Sequence, residues 1–256
     1  MSRTTVFAYT LACYACFLGV FLYAIAFVGN LGVPTTVDAG GPNAPLGAAL
    51  AVNIALLSAF ALQHSVMARP AFKRWWTRFV PEAAERATYV LASSAAFVAL
   101  FAWWHPIDSV IWELPSGFAS NAMTGLYFGG WALLLYATTL IDHFDLFGVR
   151  QGFLYWKGEK HRKSLFMTPA LYRTVRHPLF VAWLVIFWAT PSMTAGHLVL
   201  ALLTTGYILV AIQLEERDLI DEFGDTYREY RAVTPMLVPR PKLASPRAAP
   251  IVGSSD

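Results

Sequence analysis

Long apolar runs separated by short polar loops constrain this chain more than any other feature. Four runs occupy residues 6–28, 46–67, 87–104 and 124–141, and a fifth, interrupted stretch covers residues 179–213. A helix of about 20 apolar residues spans the hydrocarbon of a bilayer, and lipid tolerates only backbones whose hydrogen bonds are satisfied internally. Only 14% of the residues are charged, against about 25% in soluble domains. We therefore predict an all-α integral membrane protein.

The last apolar stretch divides into two parts. Pro191 and Gly196 interrupt it and favour a reversal of the chain. The first part, residues 179–190, is short for a complete span, whereas the second, residues 195–213, is long enough. We predict a helical hairpin here. Together with the four preceding transmembrane helices it gives five to six spans.

Basic residues are distributed unevenly among the loops. They crowd the loops after the second and fourth runs and the C-terminal segment, whereas residues 29–45 and 105–121 contain no Lys or Arg. The positive-inside rule then places both termini in the cytosol. The net charge of +3 is small for a nucleic-acid binder, and no basic stripe with interleaved aromatic residues is present. We expect membrane lipid as a partner and no nucleic acid; the oligomeric state is left open.

The residues after Gln213 have amphipathic helical spacing. Ile220, Phe223, Tyr227 and Tyr230 share one face, and Gly224 weakens the helix or breaks it. We predict a cytosolic amphipathic helix here. Residues 241–256 are expected to form a disordered tail, so that residues 1–240 form a single domain whose cofactor-binding part is about 170–240.

The predicted topology brings polar residues from several helix ends to one membrane face. Such residues are costly at that depth unless they are paired or line a wet cavity. They are either ordinary interfacial residues or parts of one site, and their convergence favours a site. The set comprises Gln63, His64, Asp142, His143, Asp145, Arg176, His177, Glu215 and Glu216.

Charges at the two ends of the hairpin are suited to a zwitterionic ligand. Pro178 in the first helical turn loses no hydrogen bond, and the helix start presents free N–H groups to an anion. Arg176 adds a fork for a carboxylate, and Glu215 with Glu216 can hold an ammonium group. A structural ion pair between Arg176 and Glu215 would explain the same residues without a ligand.

The C-terminal motifs resemble those of the isoprenylcysteine carboxyl methyltransferase and phospholipid methyltransferase superfamily. The matching residues are Arg176, His177, Pro178, Glu215, Glu216, Leu219, Gly224, Tyr227, Tyr230 and Pro235 or Pro239. Phe180 stands where the superfamily commonly has Tyr. The resemblance covers residues 170–240 and implies S-adenosyl-L-methionine as cofactor. The residues expected to bind it are Tyr172, Arg176, His177, Pro178, Leu179, Glu215, Glu216, Tyr227 and Tyr230.

Two further segments resemble the bacterial methanethiol S-methyltransferase family and the related NnrU-type membrane proteins. They are LQHSVMAR at residues 62–69 and DHFDLFGVRQ at residues 142–151. This resemblance extends over residues 45–240. It implies methylation of methanethiol, a small volatile thiol, to dimethyl sulfide at the cytosolic face of a bacterial inner membrane. The alternatives are a methyltransferase acting on a prenylcysteine carboxylate or a phospholipid amine, and a non-catalytic NnrU-like membrane component.

A thiol substrate requires help with its proton. The thiolate is the nucleophile, and the pKa of a free cysteine thiol is already about 8.5. We predict His64 and His143 as candidate bases, with Asp142 orienting either ring. Two histidines on separate spans could instead ligate a haem, which would leave the Glu-Glu and Tyr motifs unexplained. Cys13 and Cys16 are interpreted as core residues, and we expect no metal site.

Overall fold

The computed structural model describes residues 2–161 and 166–239, and helices dominate this part of the chain. The predicted tail at 241–256, and with it the domain boundary at 240, lies outside the described residues. A 3₁₀ helix at Ala170–Arg173 and two strands, β1 (Val110–Glu113) and β2 (Ser192–Thr194), complete the regular structure. The α-helices are α1 (Arg3–Val28), α2 (Leu46–Ala68), α3 (Pro70–Trp76), α4 (Glu82–Trp103), α5 (Phe118–Leu140), α6 (His143–Leu146), α7 (Val149–Lys157), α8 (Pro178–Trp188), α9 (Ala195–Phe223) and α10 (Asp225–Val233).

The described helices confirm the all-α membrane class. Four of them, α1, α2, α4 and α9, are long and apolar enough to cross a membrane. Helix α5 has 23 residues, and the apolar helix α8 has only 11. The total of five to six spans stays a prediction.

Aromatic side chains hold the bundle together. Helix α1 packs along α4, α5 packs along α8, and α2 contacts both α4 and α9. The ring of Trp131 on α5 meets Phe21 edge-on at a centroid distance of 5.0 Å and Trp183 at 5.4 Å. Such pairs contribute about 0.5–1.5 kcal/mol each beyond the area they bury. Gly130 permits the close approach of α8, because a Cβ atom there would meet Ile186 Cγ1 at 2.9 Å.

The chain reverses between α8 and α9, at the place the sequence predicted. Strand β2 lies in this reversal and pairs antiparallel with β1, with Val110 opposite Thr194 and Glu113 opposite Ser192. The segment containing β1 was predicted to be a loop. Strands of three and four residues are too short to show a period in the sequence, and their pairing joins distant parts of the chain.

The residues after Gln213 belong to two helices, which are separated at Gly224, where the sequence predicted a weak point or a break. Helix α9 continues through Gln213 without a break and ends at Phe223. Gly224, with a φ of +56°, then separates α9 from the nine-residue α10. Glycine adopts this left-handed region without the steric cost of a side chain. Helix α10 buries Tyr227, which is 1% exposed, so its apolar face packs on the protein.

Candidate active site

A cavity of about 520 Å³ lies among α1, α2, α4, α5, α8 and α9. Its charged and histidine residues come from the ends of these helices and from α3 and α6. The predicted convergence of helix ends is therefore present for His64, His143, Arg176, His177 and Glu215. The charged and histidine lining comprises His64, Arg69, Lys73, Arg86, His143, Arg176, His177, Glu215 and Asp218.

The ion pair between the hairpin ends exists, but with Glu216 in place of Glu215. Arg176 Nε donates to Glu216 Oε1 over 2.7 Å, and Arg176 Nη1 donates to the Thr234 carbonyl over 2.5 Å. His177 Nε2 lies 3.1 Å from Glu216 Oε1, and Arg231 Nε lies 3.1 Å from Glu216 Oε2. Glu216 is 2% exposed. It is a buried carboxylate surrounded by cationic groups, and it ties α9 to the start of α8 and to α10.

Glu215 occupies a different environment from its neighbour. Consecutive residues of a helix point about 100° apart, so that Glu215 faces the cavity while Glu216 faces the protein. The Glu215 side chain is 49% exposed, and its closest ion-pair contact is His177 Nδ1 at 3.9 Å. Within residues 2–161 and 166–239, the acidic pair therefore divides into a structural carboxylate and a carboxylate that faces the cavity.

The predicted cofactor residues divide in the same way. Five of the nine line the cavity, namely Tyr172, Arg176, His177, Leu179 and Glu215, and the other four do not belong to its lining. Tyr230 Oη donates to the Tyr172 carbonyl over 2.5 Å, so this phenol supports a lining residue. Burial raises the pKa of both α10 tyrosines above the ordinary value, and these groups are neutral. The four residues outside the lining are Pro178, Glu216, Tyr227 and Tyr230.

His64 lies on α2, with its ring held from two sides. Tyr89 Oη on α4 is 2.7 Å from His64 Nε2, and Ser93 Oγ is 3.2 Å from Nδ1. The ring also stacks on Phe60 at a centroid distance of 5.2 Å. The side chain is thus positioned on the cavity wall by hydroxyl groups.

His143 is held by two hydroxyl groups of its own. Thr138 Oγ1 donates to the Leu135 carbonyl over 2.7 Å, and its oxygen lies 2.8 Å from His143 Nδ1. This oxygen accepts the Nδ1 proton, which leaves Nε2 as the basic nitrogen. Nε2 lies 2.8 Å from Tyr14 Oη. Burial lowers the pKa of His143, so the ring is neutral at neutral pH.

The orienting role predicted for Asp142 stays a prediction, and the contacts that the structure gives this carboxylate lie elsewhere. Its Oδ1 accepts from the Asp145 backbone N–H over 3.1 Å as the N-cap of α6, and its Oδ2 pairs with Arg150. The residue itself adopts a φ of +74°. The rings of His64 and His143 are contacted by hydroxyl groups.

Four charged residues of the cavity lining were missed because their sequence signal had another interpretation: Arg69, Lys73, Arg86 and Asp218. Arg69, Lys73 and Arg86 belong to the loop that served as a topology signal, and all three line the cavity. Arg69 pairs with Asp218 over 2.8 Å. Arg86 Nε donates to the Leu146 carbonyl over 2.8 Å, and its guanidinium lies 5.2 Å from the centroid of the Tyr89 ring. Burial and the neighbouring Arg86 lower the pKa of Lys73.

Fold and site together define a multi-helical membrane protein with an interior cavity that is charged at one end. No family model and no solved structure matches the chain. The chain is 53% identical over 239 residues to methanethiol S-methyltransferase 2 of Bradyrhizobium diazoefficiens, covering 93% of this chain and 92% of that protein. It is 50% identical over 241 residues to methanethiol S-methyltransferase of Mycobacterium tuberculosis, covering 94% and 98%.

A more distant relative is Nurim of Rattus norvegicus, which is 30% identical over 207 residues, covering 73% of this chain and 78% of that protein. The chain belongs to the methanethiol S-methyltransferase family. This finding confirms the resemblance that the sequence motifs indicated.

Proposed function

We propose that this protein transfers a methyl group from S-adenosyl-L-methionine to methanethiol and releases dimethyl sulfide. The observation that carries the proposal is the shared cavity, in which His64 and His143 stand together with Glu215 and a group of cations. Membership of the methanethiol S-methyltransferase family favours a small thiol over a lipid amine or carboxylate as acceptor. The basic loops favour a cytosolic location for the charged end.

The donor set of the cavity fits S-adenosyl-L-methionine. This molecule carries a carboxylate and an ammonium group at one end and an adenine at the other. Glu215 is the carboxylate that suits the ammonium group. Lys73 and Arg86 suit the carboxylate better than Arg176 does, because Arg176 already donates to Glu216 and to two backbone carbonyls. When bound, S-adenosyl-L-methionine supplies an electrophilic methyl group on a sulfonium sulfur.

Aromatic side chains complete the fit. Tyr172, Phe180 and Trp183 line the cavity near the start of α8. Their π faces suit both an adenine ring and a sulfonium charge. Tyr230 holds the Tyr172 backbone in place, so that the superfamily's tyrosine motif supports the site from behind.

His64 and His143 are the candidate bases for methanethiol, the methyl acceptor. Methanethiol must lose its proton to attack, and the neutral imidazoles of His64 and His143 are suited to take it. Tyr89 and Tyr14 hold the two rings, so that each base keeps a defined orientation. Placing the thiol and the donor in line within one cavity lowers the barrier by avoiding the entropy cost of a chance encounter.

Headspace gas chromatography tests this reaction. Purified protein in nanodiscs receives S-adenosyl-L-methionine and methanethiol, together or singly. We expect dimethyl sulfide only with both, and at least a tenfold lower rate in Glu215→Gln at limiting donor concentration. Asp221→Asn, on the exposed side of the same helix, is the matched control and should retain the wild-type rate. Absence of dimethyl sulfide in the presence of measured donor binding would reject methanethiol as acceptor.

A further inference from the structure

The cavity extends far beyond its charged end. On α9 its lining runs from Leu200 to Asp218, which corresponds to about 27 Å of helix. All of the charged residues lie toward the Asp218 end. The opposite end, which we call the apolar chamber, is lined by the partly exposed side chains of Val20, Phe21, Phe60 and Phe97, and the nearly buried side chains of Ala24, Phe27, Leu57, Leu100, Phe101 and Leu200 close it.

Neither proposed substrate needs this chamber. Methanethiol has a single carbon atom and no alkyl tail to place against these side chains. The zwitterionic end of S-adenosyl-L-methionine belongs beside Glu215 and Lys73, because burying a charge without a partner is costly. The rest of the cavity lining consists of aromatic and aliphatic side chains, and it adjoins His64 and His143.

We propose that the apolar chamber receives the alkyl tail of thiols larger than methanethiol, so that straight-chain alkanethiols such as hexanethiol are also methylated. This inference rests on the proposed function, since it uses the same methyl donor and the same bases. The chamber's lining contains no charged residue among those described, which favours an unbranched hydrocarbon tail over a second polar group. With the tail in the chamber, the thiol group points toward His64 and His143.

The chemistry is the same for each thiol. The thiol proton passes to a histidine nitrogen and then to water. The thiolate sulfur forms a bond to the methyl carbon as the bond from that carbon to the sulfonium sulfur breaks. The products are the alkyl methyl sulfide, S-adenosylhomocysteine and one proton, so that no oxidant or reductant is required.

The test compares methanethiol, ethanethiol, butanethiol and hexanethiol with protein in nanodiscs, measuring the methyl sulfides by gas chromatography. Thiol concentrations refer to the aqueous phase, and partition into protein-free nanodiscs is measured separately. Burial of one methylene group is worth up to about fourfold in affinity, so kcat/KM should rise along the series. Ala24→Leu fills the chamber, whereas Ala26→Leu adds the same volume to α1 outside the cavity lining.

We expect Ala24→Leu to lower kcat/KM for hexanethiol at least tenfold while methanethiol turnover stays within twofold. Ala26→Leu should leave both values unchanged. Methanethiol turnover without any hexyl methyl sulfide would overturn the inference and leave the proposed function standing. Equal loss of hexanethiol turnover in both variants would also overturn it, because the effect would not depend on the chamber. Failure with every thiol would overturn the proposed function and this inference together.

Discussion

Arg176 Nε lies 2.7 Å from Glu216 Oε1, and this buried pair joins the beginning of α8 to the end of α9. The pair explains how a hairpin interrupted by Pro191 keeps its two ends together. It also leaves Glu215 as the carboxylate of the motif that faces the cavity. The two adjacent acidic residues therefore have separable roles, which mutations can distinguish.

Glu216→Gln should destabilise the protein, whereas Glu215→Gln should weaken donor binding. Removing the Glu216 charge leaves Arg176 and His177 buried beside a neutral group, and such a loss costs about 3–5 kcal/mol. Glu215→Gln removes a charge-assisted contact worth about 1.5–3 kcal/mol, which is roughly 10- to 100-fold in Kd. Thermal unfolding and calorimetry with S-adenosyl-L-methionine measure the two effects. Equal donor affinity in wild type and Glu215→Gln would remove Glu215 from the binding site.

Lys73 should recognise the carboxylate of the donor. Lys73→Ala should weaken binding of S-adenosyl-L-methionine about tenfold, since a hydrogen bond to a charged group is worth about 1.5 kcal/mol or more. The decarboxylated donor should bind wild type and Lys73→Ala alike. Calorimetry on the four combinations forms a double-mutant cycle that isolates the contact.

Arg74 provides the control for this cycle. It lies next to Lys73 on α3 but is exposed and absent from the cavity lining, so Arg74→Ala should leave both affinities unchanged. If Lys73→Ala weakened the two donors equally, a general electrostatic effect would replace the specific contact. Arg86 would then remain as the candidate partner of the carboxylate.

His64→Gln should lower kcat far more than Asp142→Ala does. The His64 ring lines the cavity, whereas Asp142 caps α6 and pairs with Arg150. Loss of a general base lowers kcat about 10²- to 10⁴-fold, and loss of an N-cap costs about 1 kcal/mol of stability. Dimethyl sulfide production and thermal unfolding separate the two effects. A kcat reduction of the same size in both variants would indicate a chemical role for Asp142.

Stability should fall in mild acid because of His143. Burial lowers the pKa of its imidazole below the usual value of 6.5, so the unfolded chain binds a proton more readily than the folded chain does. The contribution of His143 to stability is therefore full above about pH 6.5 and declines as the pH falls below it. Thermal unfolding between pH 7.5 and 5 measures this decline, which should be smaller in His143→Gln. An unchanged decline in His143→Gln would assign the effect to a different group.

Much of the architecture follows from local sequence. Runs of about 20 apolar residues have only the helix available to them in lipid, so α1, α2, α4 and α9 were predictable from hydropathy. Pro191 marks the reversal because proline cannot continue the helix hydrogen-bond pattern. The topology predicted from these features brings His64, His143 and Glu215 together, and all three line the cavity.

Tertiary packing decided the remaining details of the site. The sequence treats Glu215 and Glu216 alike, yet a helix turns by about 100° per residue, and only the position of α8 and α10 determines which carboxylate is buried. Lys73 and Arg86 become cavity residues because α3 and α4 both contact α2, which in turn contacts α9, a relation that no local pattern encodes. Asp142 directly precedes His143 in the sequence, yet in the structure its carboxylate caps α6 and pairs with Arg150. Membrane insertion depends on the apolarity of each segment by itself. Which side chains meet in the site depends on contacts between segments that are far apart in the chain.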